Sequence, residues 1–313
     1  MPCDPRFADE LARWGPEATV GPPPGRRAAR RYCRRLARRH YENFTVASSL
    51  VARRFRQPLC NIYAYCRWAD DLADETAEPS RGLALLDWWK SQLDACYRAE
   101  ATHPVFVALN ETIRQFDIPR EPLADLLVAF RQDQSTTRYE TFDQLLGYCR
   151  HSANPVGRLV LHLGGRPDPS QVEWSDSICT GLQLANFCQD VARDWDKDRI
   201  YLPAEDCRRF GYDEEHFERH EYNEAFRRLL IDQVDRAEEF LRRGWPLVGQ
   251  VDKDLRLAIA LFIRGGLAIL DAIRRQDYDV WTTRPVVGKW KKTTLLADCW
   301  WRLKWGHIPR DEQ

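Results

Sequence analysis

The chain has 313 residues, enough for one large domain or two small ones with a substantial core. Lys plus Arg and Asp plus Glu number 47 each, so net charge gives no reason to expect a nucleic-acid partner. Twelve tryptophans within an ordinary apolar content argue against disorder, and the longest apolar run, LAIALFI, is far short of a membrane span.

In chain order, residues 1–25 read as a flexible tail closed by GPPPG, which cannot continue a helix. Residues 26–305 read as one helical domain and 306–313 as a C-terminal tail. The N-terminus is polar and lacks the apolar core of a signal peptide. The ten cysteines contain no CxxC pair, so reduced, packed thiols in a cytoplasmic protein are expected. RRAARRYCRRLARRHY carries arginine pairs every four residues, with Ala28, Ala29, Tyr32, Cys33, Leu36 and Ala37 opposite. Such stripes suit an anionic surface or a plain solvated face. Further helical patterns run over 45–56, 59–75, 82–100, 103–117, 121–134, 139–164, 170–194, 222–243, 252–276 and 289–304. Alternating runs long enough for a strand are absent, as is any repeat, so the fold class is all-α.

In LCNIYAYCRWADDLADE, Tyr63, Arg67, Asp70 and Asp74 fall at i, i+4, i+7 and i+11, one stripe of a helix. Asp71 and Glu75 lie beside it, and Leu59, Ile62, Cys66, Ala69 and Ala73 form a neighbouring apolar stripe. Asp70 and Asp74 therefore project together, as oxygen ligands of a hard divalent cation would. A solvated acidic helix end is the plainer account, since such a pair costs only about 0.2–0.5 kcal/mol when exposed. Two features weigh against it: the helix is otherwise apolar, and carboxylates near a C-terminus oppose the helix dipole.

In GLQLANFCQDVARDWDKDRIYLP, Gln183, Asn186, Asp190 and Asp194 again form one stripe ending in a carboxylate pair, with Lys197 and Arg199 just beyond. Two such helices are harder to explain blandly than one. Facing each other, they would gather four carboxylates for magnesium, whose shell phosphate oxygens commonly complete. Arg67, Lys197 and Arg199 would add contacts to phosphate. The chemistry that follows is departure of a diphosphate, with an apolar helical cavity around the carbocation.

These segments resemble the squalene and phytoene synthase family. YENF matches its opening motif, IYAYCRWADDLADE its first aspartate motif, and LQLANFCQDVARDWDKDRIYLP the second with its trailing RxYLP. The resemblance covers nearly the whole chain from about residue 38 and implies an all-α isoprenoid synthase (trans-prenyltransferase) bundle with a central active-site cavity. It further implies Mg2+ on Asp70, Asp71, Asp74, Asp190 and Asp194. Asn43, Phe44, Tyr63, Arg67, Gln183, Asn186, Gln189, Arg199 and Tyr201 would meet substrate. ENFTVAS, YCRHSANPVGRLVLHL and LFIRGGLAILDAI are similar to the hydroxysqualene synthase branch, which converts presqualene diphosphate and water to hydroxysqualene and diphosphate in hopanoid biosynthesis.

Departures from the family pattern also bear on the reaction. Tyr41 stands where many members have Ser, Gln189 where Arg is frequent, Arg150-His151-Ser152 where relatives carry a Tyr, and Gly265-Gly266 where others have Tyr. These changes fit a site that admits water, with His151, Ser152 or Asn154 to position it. The alternative is head-to-head condensation of two farnesyl diphosphates to presqualene diphosphate, squalene or phytoene. A non-catalytic helical binding protein and a nucleoside-triphosphate pyrophosphohydrolase are further readings; the second leaves the amide-bearing stripe unexplained. The C-terminal KWKKTTLLADCWWRLKW mixes Lys with Trp290, Trp300, Trp301 and Trp305, suiting peripheral contact with the inner membrane face or a packed terminal helix. A nicotinamide fingerprint is absent.

Overall fold

A computed structural model describes residues 5–19, 21–40, 51–74 and 79–304, and no strand occurs among them. The chain sorts into two compact units, one of residues 1–135 with 162–166, the other of 136–161 with 167–313.

In the first unit, α1 (Pro5–Trp14) and α2 (Arg26–His40) precede α3 (Arg53–Asp74), the central helix. It packs against α2, α4 (Pro79–Tyr97), α5 (Pro104–Phe116) and α6 (Glu121–Gln132). Helix α3 begins six residues earlier than the 59–75 pattern and runs through Pro58 without a break. Its inward face is set by Tyr65 and Trp68 more than by Leu59 and Cys66, which are half-exposed. Trp68 stacks on Trp89 of α4 at 5.3 Å, and Phe106 of α5 approaches Trp89 at 4.4 Å. His103, before α5, sits within 4.6 Å of the Trp68 ring and 4.9 Å of Trp89.

The reading of 1–25 as a flexible tail is corrected over its first half. Phe7 is buried against Trp68 at 5.3 Å, and Glu10 accepts a hydrogen bond from Tyr32 at 2.9 Å. Phe7, Leu11 and Trp14 recur at helical spacing, so one short amphipathic turn pattern ahead of GPPPG suffices to dock this segment.

In the second unit, α7 (Phe142–Ser152) and all but the last three residues of α8 (Asn154–Gly164) divide what the sequence suggests is one helix over 139–164. Pro155 explains the division: it has no N–H to donate and disfavours helical geometry before it. Helix α9 (Pro169–Gln189) starts at a capping box in which Asp168 accepts from the Gln171 amide and Gln171 accepts in return. It ends at Asp190, where φ −106° and ψ 16° bend the chain into the short α10 (Val191–Trp195). The turns α11 (Ala204–Phe210) and α12 (Glu214–Glu218) follow. Long α13 (Glu224–Arg243) packs on α9. The approach is close enough that a Cβ on Gly181 would lie 2.8 Å from the Leu241 nitrogen. A four-residue turn α14 (Leu247–Gln250), then α15 (Lys253–Arg275) and α16 (Lys289–Lys304) complete the unit.

The nine cysteines among the described residues are free thiols, as expected. His216 and His220, at zinc-pair spacing, have other roles: His216 closes a capping box with Asp213, and His220 stacks on Trp281 at 4.7 Å.

Candidate active site

In the first unit, packing of Tyr65 and Trp68 turns the opposite face of α3 outward, carrying Tyr63, Arg67, Asp70 and Asp74. Tyr65 is locked by its hydroxyl, which donates to the Leu123 carbonyl at 2.7 Å, and Asn61 donates to Thr112 and the Ala108 carbonyl. Arg67 donates to Asp70 at 2.9 Å and also pairs with Asp71. Burial works against the Arg67 charge, but Asp71 and Asp70 outweigh it and hold the guanidinium protonated. Its Nε is buried with no hydrogen-bond partner among the described residues. Asp71, beside the stripe, is only 4% exposed, because Arg67 draws it inward. Asp70 is half-buried and Asp74 exposed.

In the second unit, α9 presents Gln183 half-buried and Asn186 exposed, then bends at Asp190. The ladder survives the bend, since Asp190 donates to the Asn186 carbonyl at 2.9 Å and Asp194 to the Asp190 carbonyl at 2.8 Å. The Asp194 carbonyl then accepts from the Lys197 and Arg199 amides, folding both cations back over the motif. Burial and the Asp190 charge push the Asp194 carboxyl up to about 7, against the opposing pull of Lys197, Arg199 and Arg284. Tyr201 is buried face to face with Phe187 at 4.0 Å, in an aromatic group with Tyr139 and Tyr148 that fixes the returning loop.

Arg284, which sequence reasoning missed, grips the motif from a segment 94 residues away. Its Nε and Nη2 donate to the two Asp190 carboxylate oxygens at 2.5 and 2.9 Å, and Nη2 also reaches Gln189 Oε1 at 3.1 Å. The Gln189 amide in turn donates to the Pro285 carbonyl at 2.6 Å, so its side chain is engaged with the chain's own backbone. TTRPVVG has no helical period, and nothing in its pattern marks Arg284 as a counter-ion.

His151, Ser152 and Asn154 meet at the α7–α8 junction. His151 Nδ1 lies 3.0 Å from the Gly147 carbonyl of its own helix, and buried Asn154 accepts from Thr180 of α9 at 3.0 Å. Thr180 is one turn before Gln183, so the junction abuts the amide-bearing stripe. Ser152 Oγ is buried without a hydrogen-bond partner among the described residues. Asn43 and Phe44, with Tyr41, Glu75 and Trp305, lie outside the described residues.

Among the described residues, no group of three or more His, Cys, Asp or Glu side chains is gathered as a ligand set. Each motif supplies a carboxylate pair, the donor type and number by which magnesium is ordinarily held when water and phosphate complete its shell. Burial first and the Asp190 charge second raise the Asp194 carboxyl, and a bound cation would offset the second. These residues fit a hard divalent cation, and the unused Arg67 Nε fits an anionic oxygen.

The squalene/phytoene synthase family model matches residues 37–291. The chain belongs to the squalene/phytoene synthase family. Its fold is the all-α isoprenoid synthase fold, and the family consists of enzymes that process prenyl diphosphates. Among its relatives is a phytoene synthase from Arthrospira platensis, 32% identical over 84% of this chain and 90% of that protein. A hydroxysqualene synthase from Sinorhizobium fredii is 33% identical over 75% of this chain and 80% of its own. The crystal structure of squalene synthase HpnC from Alicyclobacillus acidocaldarius superposes with a TM-score of 0.78 at 42% identity, covering 81% of this chain and 95% of that one.

Proposed function

We propose that this family member is a hydroxysqualene synthase that breaks the C–O bond of presqualene diphosphate and adds water to the rearranged cation. Both electrons of the broken bond leave on diphosphate. The water oxygen supplies the new C–O bond and gives up a proton. The observation that carries this reading is Ser152 Oγ, buried with no partner among the described residues, beside His151 and Asn154. A buried hydroxyl in that state is ordinarily satisfied by water, which is the reagent the reaction consumes. The likeness to the hydroxysqualene synthase supports the same branch. So does Gly265, where an added Cβ would meet nothing within 4 Å and space remains for water.

In this reading Arg67 uses its buried Nε, and Arg199 its guanidinium, to hold diphosphate oxygens. Tyr63 of the first unit, and Gln183 and Asn186 of the second, would contact the first part of the prenyl chain. Magnesium on Asp70, Asp74, Asp190 and Asp194 would supply positive charge to the departing diphosphate. Asp71 keeps Arg67 charged and oriented. Gln189 and Tyr201 hold the second motif and its returning loop in place. The exposed Trp290, Trp300 and Trp301 of α16, at 86%, 50% and 59%, favour peripheral contact at a membrane's inner face, where so apolar a product would be released. No helix of the described residues is long and apolar enough to cross a membrane.

Condensation of two prenyl diphosphates is the second reading, favoured by the phytoene synthase likeness, which extends over more of the chain. Purified protein, magnesium and either presqualene or farnesyl diphosphate separate the two. Hydroxysqualene carrying oxygen from labelled water is expected from presqualene diphosphate; turnover of farnesyl diphosphate alone to a condensed hydrocarbon supports the second reading. Ser152→Ala is expected to divert the cation from alcohol toward alkenes formed by proton loss. An unchanged product ratio would remove Ser152 from the water site.

A further inference from the structure

The face of α2 away from the core carries eight arginines, all exposed, and no acidic residue interrupts them. Arg26 and Arg30 are taken up by Glu111 of α5, at 3.6 and 2.6 Å, and Arg35 approaches Glu10 at 3.7 Å. Arg27, Arg31, Arg34, Arg38 and Arg39 have no carboxylate partner among the described residues. Between α2 and the end of α1 lies a groove of about 750 Å³ lined by Arg13, Arg31, Arg34, Arg35, Arg38 and Arg39. Its floor includes Trp14 and Tyr32. Two of the arginines rest on these rings, Arg13 over Trp14 at 5.1 Å and Arg35 over Tyr32 at 5.5 Å.

This charge is local, because the chain as a whole is neutral. So long a run of like charge on one helix face is self-repelling, and a matching anionic surface relieves it. Helix α2 is about 22 Å long at the helical rise per residue, too extended for one diphosphate to meet its arginines together. A row of phosphodiester headgroups does match that length. Half-buried Trp14 in the groove lining has the amphipathic character that settles at a bilayer interface. We propose that the α1–α2 groove is a docking surface for anionic phospholipid headgroups, holding the first unit to a negatively charged membrane. The tryptophan-bearing α16 belongs to the other unit, and docking through the groove does not depend on which reaction the enzyme catalyses.

Flotation of the full chain with vesicles tests this. Phosphatidylcholine vesicles containing phosphatidylglycerol are expected to carry the protein, vesicles of phosphatidylcholine alone to leave it behind, and added salt to weaken the association. Arg31→Ala and Arg39→Ala are each expected to lower binding about five-fold, and the pair about twenty-five-fold, with the melting temperature unchanged because both side chains are exposed. Several results overturn the proposal. These are absence of binding, equal binding to neutral vesicles, or full binding by the arginine pair while Trp290→Ala with Trp301→Ala abolishes it. Displacement by inorganic diphosphate at concentrations where chloride of equal ionic strength has no effect would assign the groove to a free anion instead.

Discussion

The two aspartate motifs share a spacing and differ in what holds them. The first sits on an unbroken helix, and its counter-ion, Arg67, comes from one turn earlier on the same helix. The second sits where α9 bends into α10, and its counter-ion, Arg284, comes from a segment 94 residues further on. Asp71 is sealed in by its guanidinium, whereas Asp194 is held close to neutrality by burial and by Asp190. A carboxylate pair four residues apart therefore says that charge is concentrated, but not whether it is neutralised locally or from a distance. The first motif is preassembled by its own helix. The second depends on tertiary structure to be held in place.

The largest effects are expected from the carboxylates that would face diphosphate. Asp70→Asn and Asp190→Asn should each cut diphosphate release by roughly 10²–10³-fold, the scale of losing one charge-stabilising group in a buried site. Asp71→Asn should act mainly on stability, because its carboxylate is turned to Arg67 and away from solvent. Diphosphate release assays beside thermal melts check both, and an Asp71→Asn variant that melts normally yet releases no diphosphate would break the distinction between Asp71 and its neighbours.

The contrast between the two counter-ions gives the next effects. Arg67→Gln leaves Asp71 buried without its guanidinium, at a cost of roughly 3 kcal/mol. Arg284→Gln should cost less, about 1–2 kcal/mol, because Arg193 still approaches Asp190 at 3.9 Å and the site is partly open. Added magnesium should recover more of the loss in Arg284→Gln, whose carboxylate pair is left most in need of a cation. Chemical denaturation with and without magnesium reads both terms, and equal losses that magnesium leaves unaltered would remove the proposed difference.

The same contrast explains what could be read from sequence. The helices, the amide-bearing stripe and both carboxylate pairs follow from periodicity, because helical spacing alone places Tyr63, Arg67, Asp70 and Asp74 on one face. The burial of Asp71 was not legible, because a face is assigned by angle, whereas an arginine four residues earlier can draw a flanking acid inward. Arg284 was illegible because its partner is remote and its own segment has no period. The docking of α1 was masked by the prolines after it, although Phe7, Leu11 and Trp14 carried the signal. The division at Ala153 was available in Pro155, and the bend at Asp190 was not: no Gly or Pro marks it, and it coincides with the Arg284 grip.

The smallest effect concerns the packing behind the first motif. His103 touches the ring of Trp68, which lies on the inner face of the helix that carries Asp70 and Asp74. Its Nδ1 accepts the Val105 amide as the cap of α5, and Nε2 is buried without a hydrogen-bond partner among the described residues. Burial lowers the imidazole from its ordinary 6.5 to about 3. The unfolded chain therefore binds a proton below pH 6.5 that the folded chain refuses until about pH 3. Stability is full above 6.5 and declines as pH falls through that window. Between pH 7 and 5.5 the loss should be about 1 kcal/mol. Asn at this position can still accept the cap hydrogen bond but cannot titrate, so His103→Asn should flatten that part of the stability profile while keeping α5 capped. Denaturation midpoints of wild type and variant, compared across this range, read the difference directly. Parallel profiles would mean that the ring cluster behind the first motif admits water and that its packing is looser than the Trp68–Trp89 stack requires.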